Sequence, residues 1–492
     1  MPYPEGLSIC MIWDDIAFYL ASTKDLLSLA LTCRDFKELI IPNHLEYRYI
    51  SCDLRQSDAW KFIQSRPRWS KCIQSLNLLR GPLGDVRLPR ALNEVMVRFK
   101  WPPSDFPFTD EDVATFKDSL SRMTSLKELT LIQSYSPSFE HFTNVFLDVL
   151  TTSATPSLEG LAVKLVPHVF LDDERVLPEN GEISTWPLTS LKKVILCDSI
   201  QAAIKLTLFC PDIEDLYLSE LSSASTSYII PQANWTKLRR LSLTFRALSM
   251  PTEEFSAIMT SFFQLHNNIE SLYLVLRNNL VLDPPPLSLP NLRSLTIFTI
   301  GNQFSLTSIL SVESISRLVH LDCPITNADI DALQQMDNLR SLRLVQFYDL
   351  SLESLGSFLS KTPNLEKICL DTFLAPTFWS ETDVEAKLVQ ILLQCPKLTH
   401  IFCDFPVPVP EVEDDGDDSV QLDVYPNELL ENLCKSLSPL QELTYLQVRL
   451  DRAQKNVNLE RDENGNYSGY QFVTLKKAGG EPRYWGDVFL HL

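Results

Sequence analysis

Glycine is scarce in this sequence, at 13 of 492 residues, whereas it makes up about 7% of an average protein. Loops that cradle a phosphate with their backbone amides need glycine, because a side chain would block the close approach. Neither an HExxH nor a GxSxG motif is present, and these motifs mark common metalloprotease and hydrolase sites. We therefore expect a protein with no active site of its own.

Positive charge and long apolar runs are also in short supply. The 43 Lys and Arg against 63 Asp and Glu give a net charge of −20, which would repel a nucleic-acid backbone. No run reaches the roughly 18 apolar residues of a membrane-spanning helix. The N-terminal residues do not resemble a secretory signal, because Asp14 and Asp15 interrupt their apolar run. We expect neither nucleic acid nor a membrane as a partner, and a cytoplasmic or nuclear location.

Paired cysteine motifs are absent as well. The 11 cysteines include no CxxC pair, which favours a reducing compartment over a disulfide framework or a zinc module. Cys395, His400 and Cys403 are close in sequence, but the strand pattern described below puts His400 and Cys403 on opposite faces, so they do not converge on a tetrahedral site. The acidic segment 411–419, EVEDDGDDS, lacks the ligand spacing of a calcium loop and is interpreted as a solvated insertion. No metal and no cofactor are expected.

What the sequence does contain is a repeat. The stretch NLRSLTIF at 291–298 returns as NLRSLRLV at 338–345, and the shared feature is apolar residues at relative positions 0, 3 and 5. Twelve copies, from SLKELTL at 125–131 to ELTYLQV at 442–448, begin 21 to 33 residues apart, except for a last interval of 45. Because side chains alternate along a strand, positions 3 and 5 share one face. The pattern therefore predicts one buried strand per copy.

Helical spacing occurs between the copies. In VEAKLVQILLQC, residues 384–395, apolar side chains recur at steps of three and four, which predicts a helix with one apolar stripe. A single strand and helix cannot bury their own faces, so stacking of the units is expected. The set resembles leucine-rich-repeat proteins in their long, irregular form. The resemblance implies an α/β solenoid over 71–450, including the insertion, with a parallel sheet on its concave face.

The N-terminal residues have a different spacing of apolar side chains from that of the repeats. Ile12, Ile16 and Leu20 share a helical face, and Ser22 is placed to cap a second helix with Asp25 at its third position. Three short helices fit before the proline at 42. The run DLLSLALTC at 25–33, the following phenylalanine and the YRYI stretch resemble an F-box over 7–50. Residues 51–70 are interpreted as a linker and entry to the first repeat, and 451–492 as a C-terminal cap or tail.

The F-box resemblance implies a partner. F-box proteins dock a Skp-family adaptor, which connects them to cullin and RING subunits. On this resemblance the predicted adaptor-binding residues are Ile12, Ile16, Leu20, Leu26, Leu27, Leu31 and Phe36. The alternative for this module is a helical cap that only covers the first repeat.

The repeats would hold the target. Positions 2 and 4 of each copy point away from the core, and they give the predicted target-binding residues Tyr217, Arg240, Tyr273, His320, Arg343, Lys367, Phe402 and Tyr445. Aromatic and arginine side chains are favoured anchors at protein interfaces. Loops or the C-terminal tail are the alternative target-binding surface. The sequence thus favours a substrate-recognition subunit of a Skp-cullin-F-box ubiquitin ligase, and the alternative is a leucine-rich-repeat scaffold or inhibitor without a ligase link.

Overall fold

The computed structural model describes most of the chain in segments. These are residues 9–20, 22–53, 57–80, 109–134, 157–166, 190–197, 210–245, 250–276, 286–299, 305–344, 350–370, 384–403, 427–450 and 453–472. The chain divides into two compact units, Met1–Ile269 and Glu270–Leu492. The weak repeat copy at 91–97 and the acidic segment 411–419 lie outside the described residues. None of the described helices is long and apolar enough to cross a membrane.

The first unit begins with the three helices that the sequence predicts. They are α1 (Ile9–Tyr19), α2 (Thr23–Ala30) and α3 (Arg34–Ile40). The Oγ atom of Ser22 accepts a hydrogen bond from the Asp25 backbone N–H at 3.2 Å, so the predicted N-cap of α2 is present. The core of this helical module consists of the fully buried side chains of Ala17, Leu26, Ala30 and Ile40.

The chain passes from the module into the sheet without a linker. A π-helical turn (Ile41–Leu45) and the short α4 (Glu46–Arg48) lead directly into β1 (Tyr49–Asp53), which is followed by α5 (Ser57–Gln64) and α6 (Pro67–Ser70). β1 pairs in parallel with the next strand. Residues 51–70, interpreted from the sequence as a linker and entry to the first repeat, contain the end of β1 and the helices α5 and α6, which are the first elements of the repeats.

Side chains tie the module to this first repeat. The guanidinium of Arg48 donates hydrogen bonds to the carbonyl oxygens of Ala17 and Leu20 at the end of α1, where carbonyls lack helical partners. The Tyr47 and Trp69 rings lie 4.6 Å apart. These contacts join the predicted adaptor-binding module to the first strand as one packed body.

Seven parallel strands in chain order form the sheet of the first unit. After β1 come β2 (Ser75–Arg80), β3 (Glu128–Ser134), β4 (Gly160–Val166), β5 (Lys193–Cys197), β6 (Asp215–Leu221) and β7 (Arg240–Phe245). The helices of this part are α7 (Asp110–Ser121), α8 (Ser223–Ile229), extended by a 3-10 turn (Ile230–Gln232), and α9 (Thr252–Leu265). The position-3 residues Leu129, Leu161, Val194, Leu216 and Leu241 are aligned strand to strand and buried.

The second unit repeats this arrangement with nine strands. They are β8 (Ser271–Leu276), β9 (Ser294–Thr299), β10 (His320–Asp322), β11 (Ser341–Leu344), β12 (Lys367–Leu370), β13 (His400–Cys403), β14 (Tyr445–Leu450), β15 (Ala453–Arg461) and β16 (Tyr467–Phe472). The helices are α10 (Leu306–Ile309), α11 (Val312–Ser316), α12 (Asn327–Ala332), α13 (Leu352–Ser360), α14 (Val384–Leu392) and α15 (Asn427–Ser436).

Strands β8 to β14 are parallel, whereas β14, β15 and β16 pair in antiparallel fashion. The region predicted as a C-terminal cap or tail thus begins as two further strands of the sheet. The expected strand YQFVTLKK at 470–477 begins inside β16, and its end lies outside the described residues, as does the apolar end-cap expected at 484–492.

One hydrogen-bond arrangement recurs at most of the described junctions between neighbouring repeats. The position-1 carbonyl oxygen accepts two N–H groups, from positions 1 and 2 of the next repeat. For Glu366 the donors are Thr399 at 2.7 Å and His400 at 3.1 Å. The accepting carbonyls are those of Gln74, Lys127, Glu159, Lys192 and Glu214 in the first unit, and of Glu270, Arg293, Val319, Arg340, Glu366 and Thr399 in the second. We call this arrangement the carbonyl clamp, and it fixes how each strand enters the sheet.

A polar network replaces apolar packing at one position among the helices of the second unit. The buried carboxylate of Asp329 on α12 accepts hydrogen bonds from Ser305 Oγ at 2.7 Å and from the Thr307 N–H at 2.9 Å. Its second oxygen accepts from the Thr326 N–H at 3.0 Å. Burial alone would raise the pKa of Asp329, but these backbone and hydroxyl donors outweigh it and hold the pKa below the usual 3.8.

We predict that Leu295→Ala lowers the free energy of unfolding by about 2 to 5 kcal/mol. Leu295 is 1% exposed and lies between Leu272 and Leu321 of the neighbouring strands, so truncation leaves a cavity that its neighbours share. Urea unfolding followed by circular dichroism measures the change. Leu265→Ala, at a side chain that is 69% exposed, is the matched control with an expected change within about 0.5 kcal/mol.

We predict that Asp329 makes the fold sensitive to acid. A carboxyl whose folded pKa is lowered contributes stability that is present above the unfolded pKa and lost as pH falls through the folded pKa. Asp329→Asn should therefore cost about 1 to 3 kcal/mol at neutral pH, and the difference from wild type should shrink between about pH 4 and pH 2. Urea midpoints across this range test it, with exposed Asp331→Asn on the same helix as the control; equal pH profiles for the two variants would contradict the assignment.

Candidate functional site

Apolar side chains are exposed on the helical module. Ile12 is 48% exposed, Ile16 39%, Leu27 46% and Leu31 72%, and these are four of the seven predicted adaptor-binding residues. Ile12 and Ile16 are one helical turn apart on α1, and Leu27 and Leu31 are one turn apart at α2 and its C-cap, so each pair shares a helix face. Groups of exposed large apolar side chains typically mark interaction sites.

The other three predicted adaptor-binding residues have a different place. Leu26 is fully buried in the module core, and Leu20 and Phe36 are half-buried and pack against that core. A change of Leu26 would therefore act on folding of the module and not only on an interface. The Phe36 ring also contacts Trp13, with 4.7 Å between ring centroids.

The sequence analysis missed one exposed residue of this surface. Tyr19 is 82% exposed and lies seven positions after Ile12, so it shares the α1 face of Ile12 and Ile16. The spacing of three, four and seven residues along α1 could have revealed it. We call the five exposed side chains of Ile12, Ile16, Tyr19, Leu27 and Leu31 the module's apolar surface.

A cleft of about 250 Å³ is lined by residues of the module and the first repeat, among them Asp14, His44, Arg68 and Cys72. His44 Nε2 lies 2.7 Å from Asp14 Oδ1, and Asp14 also pairs with Arg68. Burial lowers the pKa of His44 although Asp14 opposes this, and burial raises the pKa of the Cys72 thiol to about 11. A thiol with a raised pKa is not an activated nucleophile, so these contacts join elements and offer no cysteine chemistry.

The predicted target-binding residues belong to both units. Tyr217 and Arg240 lie in the first unit, on β6 and β7. Tyr273, His320, Arg343, Lys367, Phe402 and Tyr445 lie in the second, on β8 and β10 to β14. In both units they are on the sheet face opposite to the buried positions 3 and 5, because residues alternate along each strand.

Arg240 is engaged within the protein. Its guanidinium holds the Asp215 carboxylate with two hydrogen bonds of 2.6 Å each. Asp215 and Arg240 are register partners on β6 and β7. The hydrogen bonds to Asp215 raise the pKa of Arg240. Arg240 therefore stabilises the sheet, and a charge reversal here would place two acids side by side.

Arg343 is also paired. Its Nη1 atom lies 3.6 Å from Asp322 Oδ2 on the neighbouring strand, and only 14% of its side chain is exposed. The guanidinium carbon lies 5.7 Å from the centre of the Phe298 ring. Substitution of Arg343 would leave a buried carboxylate without this partner, so a purely interfacial role does not fit this side chain.

Phe402 is 2% exposed, so it is not an exposed contact residue as the alternation predicted. Its ring centroid lies 5.2 Å from that of Tyr445 and 6.1 Å from that of His400. Rings on neighbouring strands cover one another, because parallel strands are only about 4.8 Å apart. His400 and Tyr445 remain half-buried, and Cys403, on the opposite face, is in the core.

Lys367 has a different environment from the two arginines. It is half-buried on β12 and has neither a salt bridge nor a side-chain hydrogen bond with any described residue. Its register partners are Ser341 on one side and His400 on the other. Burial lowers the pKa of both His320 and His400, and the positive charge of Lys367 lowers them further.

Metal binding has no support in the described part of the chain. No group of three or more His, Cys, Asp or Glu side chains there is placed to hold a metal ion. Cys395 is buried three residues after α14 ends and makes a 3.8 Å contact from Sγ to the Leu359 carbonyl oxygen. Burial raises the pKa of its thiol to about 11.

Similarity to known proteins is found among solved structures. No protein-family model matches the chain, and no curated protein matches it either. Among solved structures, a chain from the crystal structure of the Rad7 and Elc1 complex in yeast is 15% identical, with 80% of this chain and 86% of that chain covered and a TM-score of 0.38. A likeness at this level carries no argument about function.

We predict that Arg240 and Asp215 are energetically coupled. A double-mutant cycle with Arg240→Ala and Asp215→Ala should give a coupling energy of about 0.5 to 1 kcal/mol, reduced at high salt because Arg240 is partly exposed. Urea unfolding of the four proteins measures it. The exposed pair Lys237 and Asp212 is the matched control, with no measurable coupling expected. A coupling energy of zero for this pair would contradict the pairing and would leave Arg240 available to contact a target.

Proposed function

We propose that the chain is a substrate-recognition subunit of a Skp-cullin-F-box type ubiquitin ligase. The helical module would dock a Skp-family adaptor, and through it cullin and RING subunits. The repeats would bind a protein target. The chain itself would perform no chemistry, and would hold the target near the ubiquitin-charged enzyme, which raises the local concentration of the reacting groups.

The module's apolar surface is the observation that carries this proposal. Nine large apolar side chains of the described residues are exposed, and five of them lie within residues 12–31. Burying these side chains against a partner would be favourable by roughly 25 cal/mol per Å² of apolar surface removed from water. This concentration supports a docking role over a cap, because a cap turns its apolar residues inward to cover the first repeat.

The resemblance of residues 7–50 to an F-box decides which partner is proposed. The DLLSLALTC run supplies both the buried Leu26 and the exposed Leu27 and Leu31. One run therefore supplies the core of the module and its outer surface. The face that the module does not use for its own packing is the face proposed for the adaptor.

The contacts between the module and the first repeat support a role as a bridge. Arg48 closes the end of α1 and immediately precedes β1, and Arg68 of α6 pairs with Asp14 and Asp15 of α1. An adaptor bound to α1 and α2 would therefore be held at a fixed position relative to the first strands. A fixed geometry favours transfer to a bound target, because a flexible tether would dilute its local concentration.

We predict that Leu27→Asp abolishes co-purification of a Skp-family adaptor with the full chain. The substitution puts an unpaired charge into an apolar interface, which is strongly unfavourable. The fold should be unchanged, because Leu27 is 46% exposed, and circular dichroism with a urea midpoint checks this.

Leu265→Asp is the matched control, since Leu265 is 69% exposed on α9 in the same unit. It should retain the adaptor. If both variants bind the adaptor equally well, the adaptor does not contact the module's apolar surface. A wild-type chain that binds no Skp-family adaptor would leave the alternative, a leucine-rich-repeat scaffold or inhibitor without a ligase link.

A further inference from the structure

One row of the second unit's sheet contains an unsatisfied hydroxyl. Ser341 is 2% exposed, and its Oγ atom is buried without a hydrogen-bond partner among the residues that the structure describes. Most buried polar side-chain atoms in folded proteins are satisfied, so each exception needs an explanation. Once the side chains that cover it move aside, this hydroxyl can donate a hydrogen bond to a ligand atom that accepts one.

The residues on either side of Ser341 are donors. His320 of β10 and Lys367 of β12 are its register partners on the two adjacent strands, so the three side chains are consecutive in position 2. We call His320, Ser341 and Lys367 the donor row. Neighbouring strands are about 4.8 Å apart. The side chains of His320 and Lys367 are long enough to reach a ligand atom bound at the Ser341 hydroxyl.

No acid competes within this row. From β8 to β14, position 2 holds Ser271, Ser294, His320, Ser341, Lys367, His400 and Tyr445, with no Asp or Glu. The nearby Asp322 is paired with Arg343 at 3.6 Å, and Glu366 lies 3.4 Å from Arg340. On a chain of net charge −20, a half-buried lysine that forms no ion pair with any described residue is unusual, and its positive charge is complementary to an anion.

The geometry points to a binding site for an oxyanion of a target peptide, a side-chain carboxylate or phosphate, held by Ser341 Oγ–H, Lys367 Nζ–H and an imidazole N–H of His320. The inference rests on the proposed target-binding role of the repeats and adds the chemistry of the target. Charge-assisted hydrogen bonds of this kind are roughly twice as strong as neutral ones.

A second contact sets a spacing in the peptide. His400 is two strands from Ser341, the middle residue of the donor row, which is about 10 Å. An extended peptide that crosses the strands advances about 3.3 Å per residue, so a side chain three residues from the anion would lie over His400, next to Tyr445. The half-buried rings of His400 and Tyr445, 5.6 Å apart, favour an aromatic or aliphatic side chain there.

The probe is a fluorescent heptapeptide, Phe-Ala-Ala-X-Ala-Ala-Phe, in which X is glutamate, phosphoserine or glutamine. Its symmetry places a phenylalanine three residues from X in either direction. Fluorescence anisotropy with the purified full chain, without adaptor, measures affinity. We expect both anionic peptides to bind at least about tenfold more tightly than the glutamine peptide. The stronger of the two identifies the oxyanion that the site prefers.

Two variants test the named donors. Lys367→Gln should weaken the anionic peptides about tenfold and leave the glutamine peptide unchanged. Ser341→Ala should weaken them several-fold while the urea midpoint stays the same or rises, because it removes an unsatisfied buried hydroxyl. A merely structural serine would instead lower the midpoint. Lys397→Gln is the matched control, since Lys397 is exposed outside the row and bonds Asn364, and it should change nothing.

Equal affinity for the three peptides, or no binding of any, would overturn the site. So would equal effects of Lys367→Gln and Lys397→Gln. A wild-type dimer that Lys367→Gln dissociates would show that a second copy of this chain covers the row, and the peptide proposal would then be wrong. The measurement needs no adaptor, so failure of adaptor docking and failure of this site are separate results.

Discussion

The carbonyl clamp is the interaction on which the rest of the sheet depends. A position-1 carbonyl has two lone pairs, and by accepting both the position-1 and the position-2 N–H of the next repeat it fixes the start of that strand to within one residue. A slip of one residue would turn positions 3 and 5 outward and expose a leucine pair in each repeat. The clamp therefore holds the buried rows, and with them the polar rows on the other face, in line.

Charges at the same position reinforce this register. The position-1 side chains alternate in sign through the first unit, from Lys127 and Glu159 to Lys192 and Glu214, and they are exposed or half-buried. Lys192 and Glu159 lie 3.4 Å apart. Each such pair contributes little at a surface. A strand displaced by one repeat, however, would bring like charges together, so the alternation acts mainly against incorrect stacking.

The parts of the fold that depend on the spacing of residues along the chain could be predicted from the sequence. The spacing of positions 0, 3 and 5 predicts the buried strand residues, such as Leu295 and Ile297, and the Ser22 cap follows from its distance to Asp25. The pairing of Asp215 with Arg240 could also have been found, because both occupy position 2 of successive copies. Burial of Phe402 could not, because it depends on how side chains of several strands fill one space. Leu26 and Leu27 are adjacent in a leucine-rich run, and only the packing of α1 and α3 distinguishes core from surface.

Arg48 has a consequence for where the first module ends. Its guanidinium belongs to the residue just before β1 but completes the end of α1, and Tyr47 packs on Trp69, 22 residues further along the chain. A fragment cut at residue 50 would keep every F-box-like residue and yet lose both Arg68 and Trp69. The F-box resemblance therefore ends at residue 50, but the unit that folds cooperatively extends further. The smallest form of this module that folds on its own includes α5 and α6.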